Sequence, residues 1–264
     1  ARGEWQIRGA AAWANVWAND DVGFDPSGGE YGDYLLDYET LHLGLGVSYG
    51  LADTLELELE VEDRSRFGGT MDGFVQGFHD LFGLEQSGRE LVPRDQLRIR
   101  VEAADGRIIE LGAEDRGSFS RSLMATLQHN VTCGSASAPA VAWAVTVRHA
   151  TVSEDLEGGG TDLGVSLALS HRVGRVYGYL TLGYAWYSSD EARGIPIADT
   201  QATALLAGEW RFAPRQSLVL QWLASEAVSD FGPFAEAAHE VTVGWKGEVV
   251  PSGVLEIGVI ENMI

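Results

Sequence analysis

Along residues 53–62, Asp-Thr-Leu-Glu-Leu-Glu-Leu-Glu-Val-Glu, every second position is apolar. As a strand this run sets Leu55, Leu57, Leu59 and Val61 on one face and Glu56, Glu58, Glu60 and Glu62 on the other. A helix would scatter the glutamates around its whole circumference, so the period predicts a strand. The same alternation recurs in Leu41, Leu43, Leu45, Val47 and Tyr49, and again in Val141, Trp143, Val145 and Val147. It continues in Leu163–Leu169, in Leu180–Trp186 and in Val241–Trp245.

Thirteen strands are predicted: 4–17, 37–50, 53–62, 95–103, 107–112, 118–130, 139–149, 161–173, 175–187, 199–212, 216–226, 237–247 and 252–261. Many span about 10–14 residues, against an average of about 5–6 in soluble proteins and about 9–11 for a tilted membrane strand. Short turns at 50–54, 103–106, 173–175, 213–215 and 247–252 alternate with long polar connections at 18–36, 63–94, 150–160, 188–198 and 227–236. The link at 113–117 is shorter than that rule expects. Long strands with short turns at one end and long loops at the other predict an all-β, antiparallel, up-and-down transmembrane β-barrel with the long loops outside. About 14 strands are expected, with 12 as the alternative, in a single domain over 1–264. The competing arrangement is a soluble lipocalin-like barrel or sandwich with its apolar face turned inward. The eight tryptophans share strand faces with the aliphatic residues, as interfacial girdles do.

Residues 68–84 break the period of two. Phe74, Phe78, Leu81 and Phe82 recur at spacings of three and four, which predicts a short helix over about 71–82 within the longest connection. Its phenylalanines are expected to pack on the barrel wall or rim, with Asp72, His79 and Asp80 turned to polar groups. It would then plug the mouth or lie at the outer membrane interface.

The run Asp37-Tyr38-Glu39-Thr40, the following alternating strands, the segment GFVQGFHDLFGL at 73–84 and Gly88-Arg89 together resemble an uncharacterised proteobacterial family, a domain of unknown function. The likeness extends more loosely to Ile260-Glu261-Asn262. It implies a porin-like outer-membrane β-barrel of a Gram-negative bacterium, and no activity. Because members of that family continue past this region, it also implies a closing strand after Ile264; the odd count, which leaves the first and last strands running the same way, is otherwise met by a wrongly split strand or a partner chain.

Composition narrows the partners. Lys+Arg 18 against Asp+Glu 39 gives 18 − 39 = −21, which excludes nucleic acid. Membrane lipid is the expected partner, with lipopolysaccharide, divalent cations and other outer-membrane proteins as candidates. Cys133 is the only cysteine, so no intrachain disulfide or thiolate metal site forms, and no cofactor is expected. No stretch reaches the roughly 18 apolar residues of a membrane helix. The start, Ala1-Arg2-Gly3, has no signal-peptide core, which points to a mature, trimmed or cytosolic chain.

Pore-lining candidates are Glu56, Glu58, Glu60 and Glu62, and Arg98, Arg100 and Glu102 on the next predicted strand. If those strands pair, they form either a charged constriction or a neutralised ion-pair filling. His79-Asp80 has no fixed serine beside it, and Ser166, Ser170, His129 and His171 form no His-x-Ser-Asn pattern, so no catalytic residue is assigned. Asp20, Asp21 and Asp25, with Glu30 and Asp33, are weak calcium candidates without EF-hand spacing. A passive pore for small solutes leads. A structural or assembly component with a plugged lumen follows, and a lipid-modifying barrel enzyme comes third.

Overall fold

A computed structural model of the chain describes residues 2–19, 34–102, 106, 108–152, 159–192, 195–229 and 234–263. Its strands are β1 (Trp5–Asn19), β2 (Tyr34–Gly50), β3 (Leu55–Phe67), β4 (Arg98–Glu102), β5 (Ile108–Leu111), β6 (Gly117–Cys133), β7 (Ala140–Val152) and β8 (Gly160–Val173). They continue as β9 (Val176–Trp186), β10 (Glu191–Ala192), β11 (Ile195–Pro196), β12 (Thr200–Ala213), β13 (Gln216–Ser225), β14 (Ala238–Val250) and β15 (Gly253–Asn262). One helix, α1 (Asp72–Phe82), lies between β3 and β4. No helix among the described residues is long and apolar enough to cross a membrane. All thirteen strands read from the sequence form, and α1 begins within a residue of its predicted start.

The main sheet runs β15-β14-β13-β12-β9-β8-β7-β6-β3-β2, with β1 on β2, and every pairing is antiparallel. This is the up-and-down order expected of a barrel. Two of the thirteen predicted strands do not span it. β4 and β5 have 5 and 4 residues and form a hairpin at the end where the long connections gather. β2 pairs with β3 through Glu39–Gly50 and then, on the same edge, with β4 through Tyr34–Asp37. The hairpin therefore extends the wall beyond β3. Glu102 and Ile108, the facing ends of that hairpin, consequently stand at the long-connection end, and the short link at 113–117 ceases to be an exception.

Eleven strands, each 10–17 residues long, make the wall. Counted along the up-and-down order, β1 and β15 run in the same direction, and among the described residues neither pairs with the other. The sheet is nonetheless curled. Ile195 and Phe234, from connections on the far side, pack against Leu36, Ile99, Val101, Ile109 and Leu111 of β2, β4 and β5. These apolar residues share the inner face of the sheet, so the buried core sits across the mouth at the long-connection end.

Candidate functional site

The face assignment decides what each side chain can do. Leu45 and Leu59 are 54% and 50% exposed, as are the aliphatic and tryptophan residues of matching parity on most other strands. The glutamates point the other way: the Glu60 side chain is 15% exposed and that of Glu62 12%. The apolar face is outside and the polar face lines the lumen, as the membrane-barrel reading requires.

On the inner face Arg8 of β1 reaches over β2 to Glu58 at 2.6 Å and Glu60 at 2.9 Å. It can do so because β2 presents Gly44 and Gly46 there. A Cβ at either glycine would stand 3.1 Å from a carboxylate oxygen of Glu60 or Glu58. His42 approaches Glu62 at 3.0 Å, and the Ser122 hydroxyl donates to the same carboxylate at 3.0 Å. Arg64 and Arg66 continue the inner parity of β3 outward, so carboxylates and guanidiniums are segregated along one strand. A second inner cluster lies near the short turns. The Ser217 and Tyr179 hydroxyls donate to Glu209 at 2.7 and 3.1 Å, and Lys246, the single lysine, pairs with Glu256 at 2.9 Å. Between these clusters the inner positions are mostly small: Ser166, Ala168, Thr181, Gly183, Thr203, Ala207, Thr242 and Gly244.

Arg98, Arg100 and Glu102 do not face the glutamate ladder. β3 pairs with β6 and β2, and β4 pairs with β2 and β5. Ile99 and Val101 share the inner face with Leu36, which turns Arg98, Arg100 and Glu102 to the opposite side, where Arg100 meets Glu102 and Glu110. The parity read for that segment was inverted. A five-residue strand with apolar residues at Ile99 and Val101 follows the usual core-inward rule, because it lies above the wall whose apolar face is outside.

The helix also differs from expectation. Phe74, Leu81 and Phe82 are 64%, 77% and 63% exposed, whereas Asp72 and Gln76 are buried. It docks by its polar side, and on the outer face of the wall. The outward positions of β1 and β2 at this end carry Asn15, Trp17, Asp37 and Glu39, and the segment after β3 covers them. Arg89 forms ion pairs with Asp37 at 2.9 Å and with Asp72, and it stacks over the Trp17 ring at 4.8 Å. The Asn15 amide donates to Asp72 at 2.6 Å, and the backbone N–H of Asp95 donates to its other oxygen. Glu39, fully buried, accepts from Trp13 Nε1 at 2.6 Å and from the Met71 N–H. Gly69, at φ +73°, is required here, since a Cβ would fall 1.8 Å from the Glu39 carboxyl carbon.

Burial acts to raise the pKa of Asp72, but hydrogen bonds from Arg89, Asp95 and Asn15 outweigh it and hold the carboxyl below its usual range. Burial likewise opposes the charge of Arg89, and Asp72 and Asp37 outweigh it in turn, raising its pKa. Of the predicted helix residues, Phe78 is half-buried and sets its ring 4.7 Å from that of Phe82, tilted by 47°. The exposed Asp80 accepts from the Gln86 amide at 2.9 Å, and His79 reaches Glu261 of β15 at 3.6 Å. Among the described residues, neither His79 nor Asp80 is hydrogen-bonded to a serine.

The clasp of Asp37, Asp72 and Arg89 was not anticipated. Its signal was present as Asn15, Asp37 and Glu39, polar residues on the lipid parity of otherwise apolar strands. No group of three His, Cys, Asp or Glu side chains forms a metal site among the described residues. Asp20, Asp21 and Asp25 lie outside them.

Residues 1–264 match the family described as protein of unknown function (DUF3187). The chain belongs to that family. No curated protein matches this DUF3187 chain. Among solved structures it is similar to the toluene transporter TbuX of Ralstonia pickettii, at 9% identity and a TM-score of 0.48, covering 98% of this chain and 72% of that one. The toluene transporter TodX of P. putida gives 8% identity and 0.44, covering 97% and 71%. The outer membrane channel DcaP of Acinetobacter baumannii gives 11% and 0.35, covering 99% and 91%. Likenesses at this level assign neither cargo nor activity to the DUF3187 chain.

Proposed function

We propose that this DUF3187 protein is a β-barrel of the bacterial outer membrane whose lumen is a passive pore for small solutes. The observation that carries the reading is the inverted polarity of the wall. Leucine, valine and tryptophan face outward on most of the long strands, and charged or small residues face inward. A soluble barrel reverses that order. In lipid, an apolar exterior and a backbone satisfied strand to strand are the requirements for spanning. The small inner residues opposite the glutamate ladder leave room for water and solute at mid-height. Glu56, Glu58, Glu60 and Glu62 give that stretch a carboxylate field, offset by Arg8 and, further outward, by Arg64 and Arg66.

One observation favours a second reading, a barrel with a closed lumen that works through its loops. The buried Leu36–Ile99–Val101–Ile109–Leu111–Ile195 cluster lies across the mouth. An apolar constriction excludes ions by dewetting. Planar-bilayer recording separates the two. The pore reading expects unitary conductance from the wild type, enlarged by Val101→Glu, with Glu58→Gln shifting the reversal potential towards anions. Silence from both the wild type and Val101→Glu, in protein shown by circular dichroism to be folded, would favour the closed-lumen reading.

A further inference from the structure

Among the described residues, the clasp on the outer wall leaves one side of α1 without a protein partner. Phe74, Leu81 and Phe82 are the exposed side chains there, and Leu84 beyond the helix is exposed too. A helix of this composition in water would turn that face onto the protein. Here the opposite face is docked, through Asp72, Gln76 and Arg89, each buried and hydrogen-bonded or ion-paired. The docking is specific: five side chains from β1 and β2 (Asn15, Trp17, Asn19, Asp37 and Glu39) meet the segment through hydrogen bonds, ion pairs or stacking. The apolar face is thus held outward by the fold rather than left over.

Its surroundings identify what it meets. The docked strands carry Leu43 and Leu45 on the same outward face, a few residues toward the short turns, and Trp13 lies between, half exposed. On β2 the polar outward residues begin at Glu39, and on the neighbouring β3 and β6 at Asp63 and Arg121, level with Leu43. With 17 residues in β2 and about 9–11 needed to cross the hydrocarbon, the Asp37–Glu39 level stands where the apolar band ends. Apolar side chains on an amphipathic helix at that height belong at the boundary of headgroups and acyl chains.

We propose that α1 is an interfacial lipid-binding helix, clasped to the outer wall by Arg89, Asp37 and Asp72 and presenting Phe74, Leu81 and Phe82 to the leaflet on the long-loop side. The inference rests on the membrane-barrel reading above. His79 touches Glu261 of β15 while Asp72 touches Asn15 of β1, so the helix spans the outer end of the seam between the two edge strands. Lipid bound along it would line that seam.

The test uses the full chain with Cys133→Ser, reconstituted in phosphatidylcholine–phosphatidylglycerol vesicles and carrying one nitroxide at a time. Labels at Phe82→Cys and Leu81→Cys report on the helix, Asp80→Cys on its polar flank, and Leu45→Cys on the wall. Accessibility to oxygen is compared with accessibility to a water-soluble nickel chelate. The inference expects positions 81 and 82 to favour oxygen several-fold over position 80 and to approach the ratio at 45. Nickel accessibility at 81 and 82, with 45 still lipid-like, would place the helix in water and overturn the inference alone. Protection of 81 and 82 from both reagents would mean a covering protein, a second copy included, and would overturn it equally. Nickel accessibility at 45 would overturn the membrane reading itself.

Discussion

Arg89 holds two carboxylates that come from separate elements, and its removal would strip the buried Asp72 of its counter-charge and leave the buried Asp37 to Arg98. Breaking such a pair by deleting one partner typically costs about 3–5 kcal/mol, far more than an exposed ion pair is worth. Arg89→Met is therefore expected to release the segment at 68–96, seen as new proteolysis there while the strands stay protected. Gly69→Ala should do the same by a different route. It adds a side chain at positive φ and drives it into Glu39, with strain of about 1–3 kcal/mol before any clash. The clasp also has a defined pH response. The Asp72 carboxyl lies below its ordinary value of 3.8 in the folded protein, so its contribution is complete above that value and is lost as pH falls through the lower folded one. Relative to Asp72→Asn, the wild type should therefore protect 68–96 by a margin that is level from neutral to mildly acidic conditions and vanishes only in strong acid. Loss of that margin near neutrality would contradict this origin.

At the level of elements, the period of two made the strands legible, because in most long strands one face is apolar and turned outward while the other is polar or small and turned inward. It was least informative for β4 and β5, where five and four residues alternate equally well in a wall or in a rim hairpin. Ile99 and Val101 are apolar because they cap the mouth, not because they meet lipid. The phenylalanine spacing located α1 but reversed its orientation, since the rule that apolar faces turn inward assumes water outside. For β3 the two faces differ enough to be measured. Leu59→Arg should destabilise the folded barrel by about 2–4 kcal/mol near the bilayer centre, and Leu57→Arg by less as the interface nears. Glu58→Gln should change stability far less, because the Arg8 guanidinium retains Glu60 at 2.9 Å. Equal losses for Leu59→Arg and Glu58→Gln, in vesicle-based denaturant titrations, would mean that β3 has no lipid side.

For the whole molecule, the short turns gather at one end and the long connections at the other, and Cys133 lies exposed beside the β6–β7 turn. As the single cysteine it reports sidedness without any mutation. A polymer-linked maleimide too large for the lumen should leave it unmodified in intact cells and modify it once the outer membrane is permeabilised. Labelling of intact cells would reverse the orientation. β1 and β15 run in the same direction, and two like-directed strands are joined either by a parallel pair or by an odd number of added strands. Hairpins add strands in twos, so a lineage that lengthens this wall by duplicating hairpins between them leaves their relative direction unchanged however large the circumference becomes. Only the gain of a single strand alters it, which makes that relation a character that descends in discrete steps.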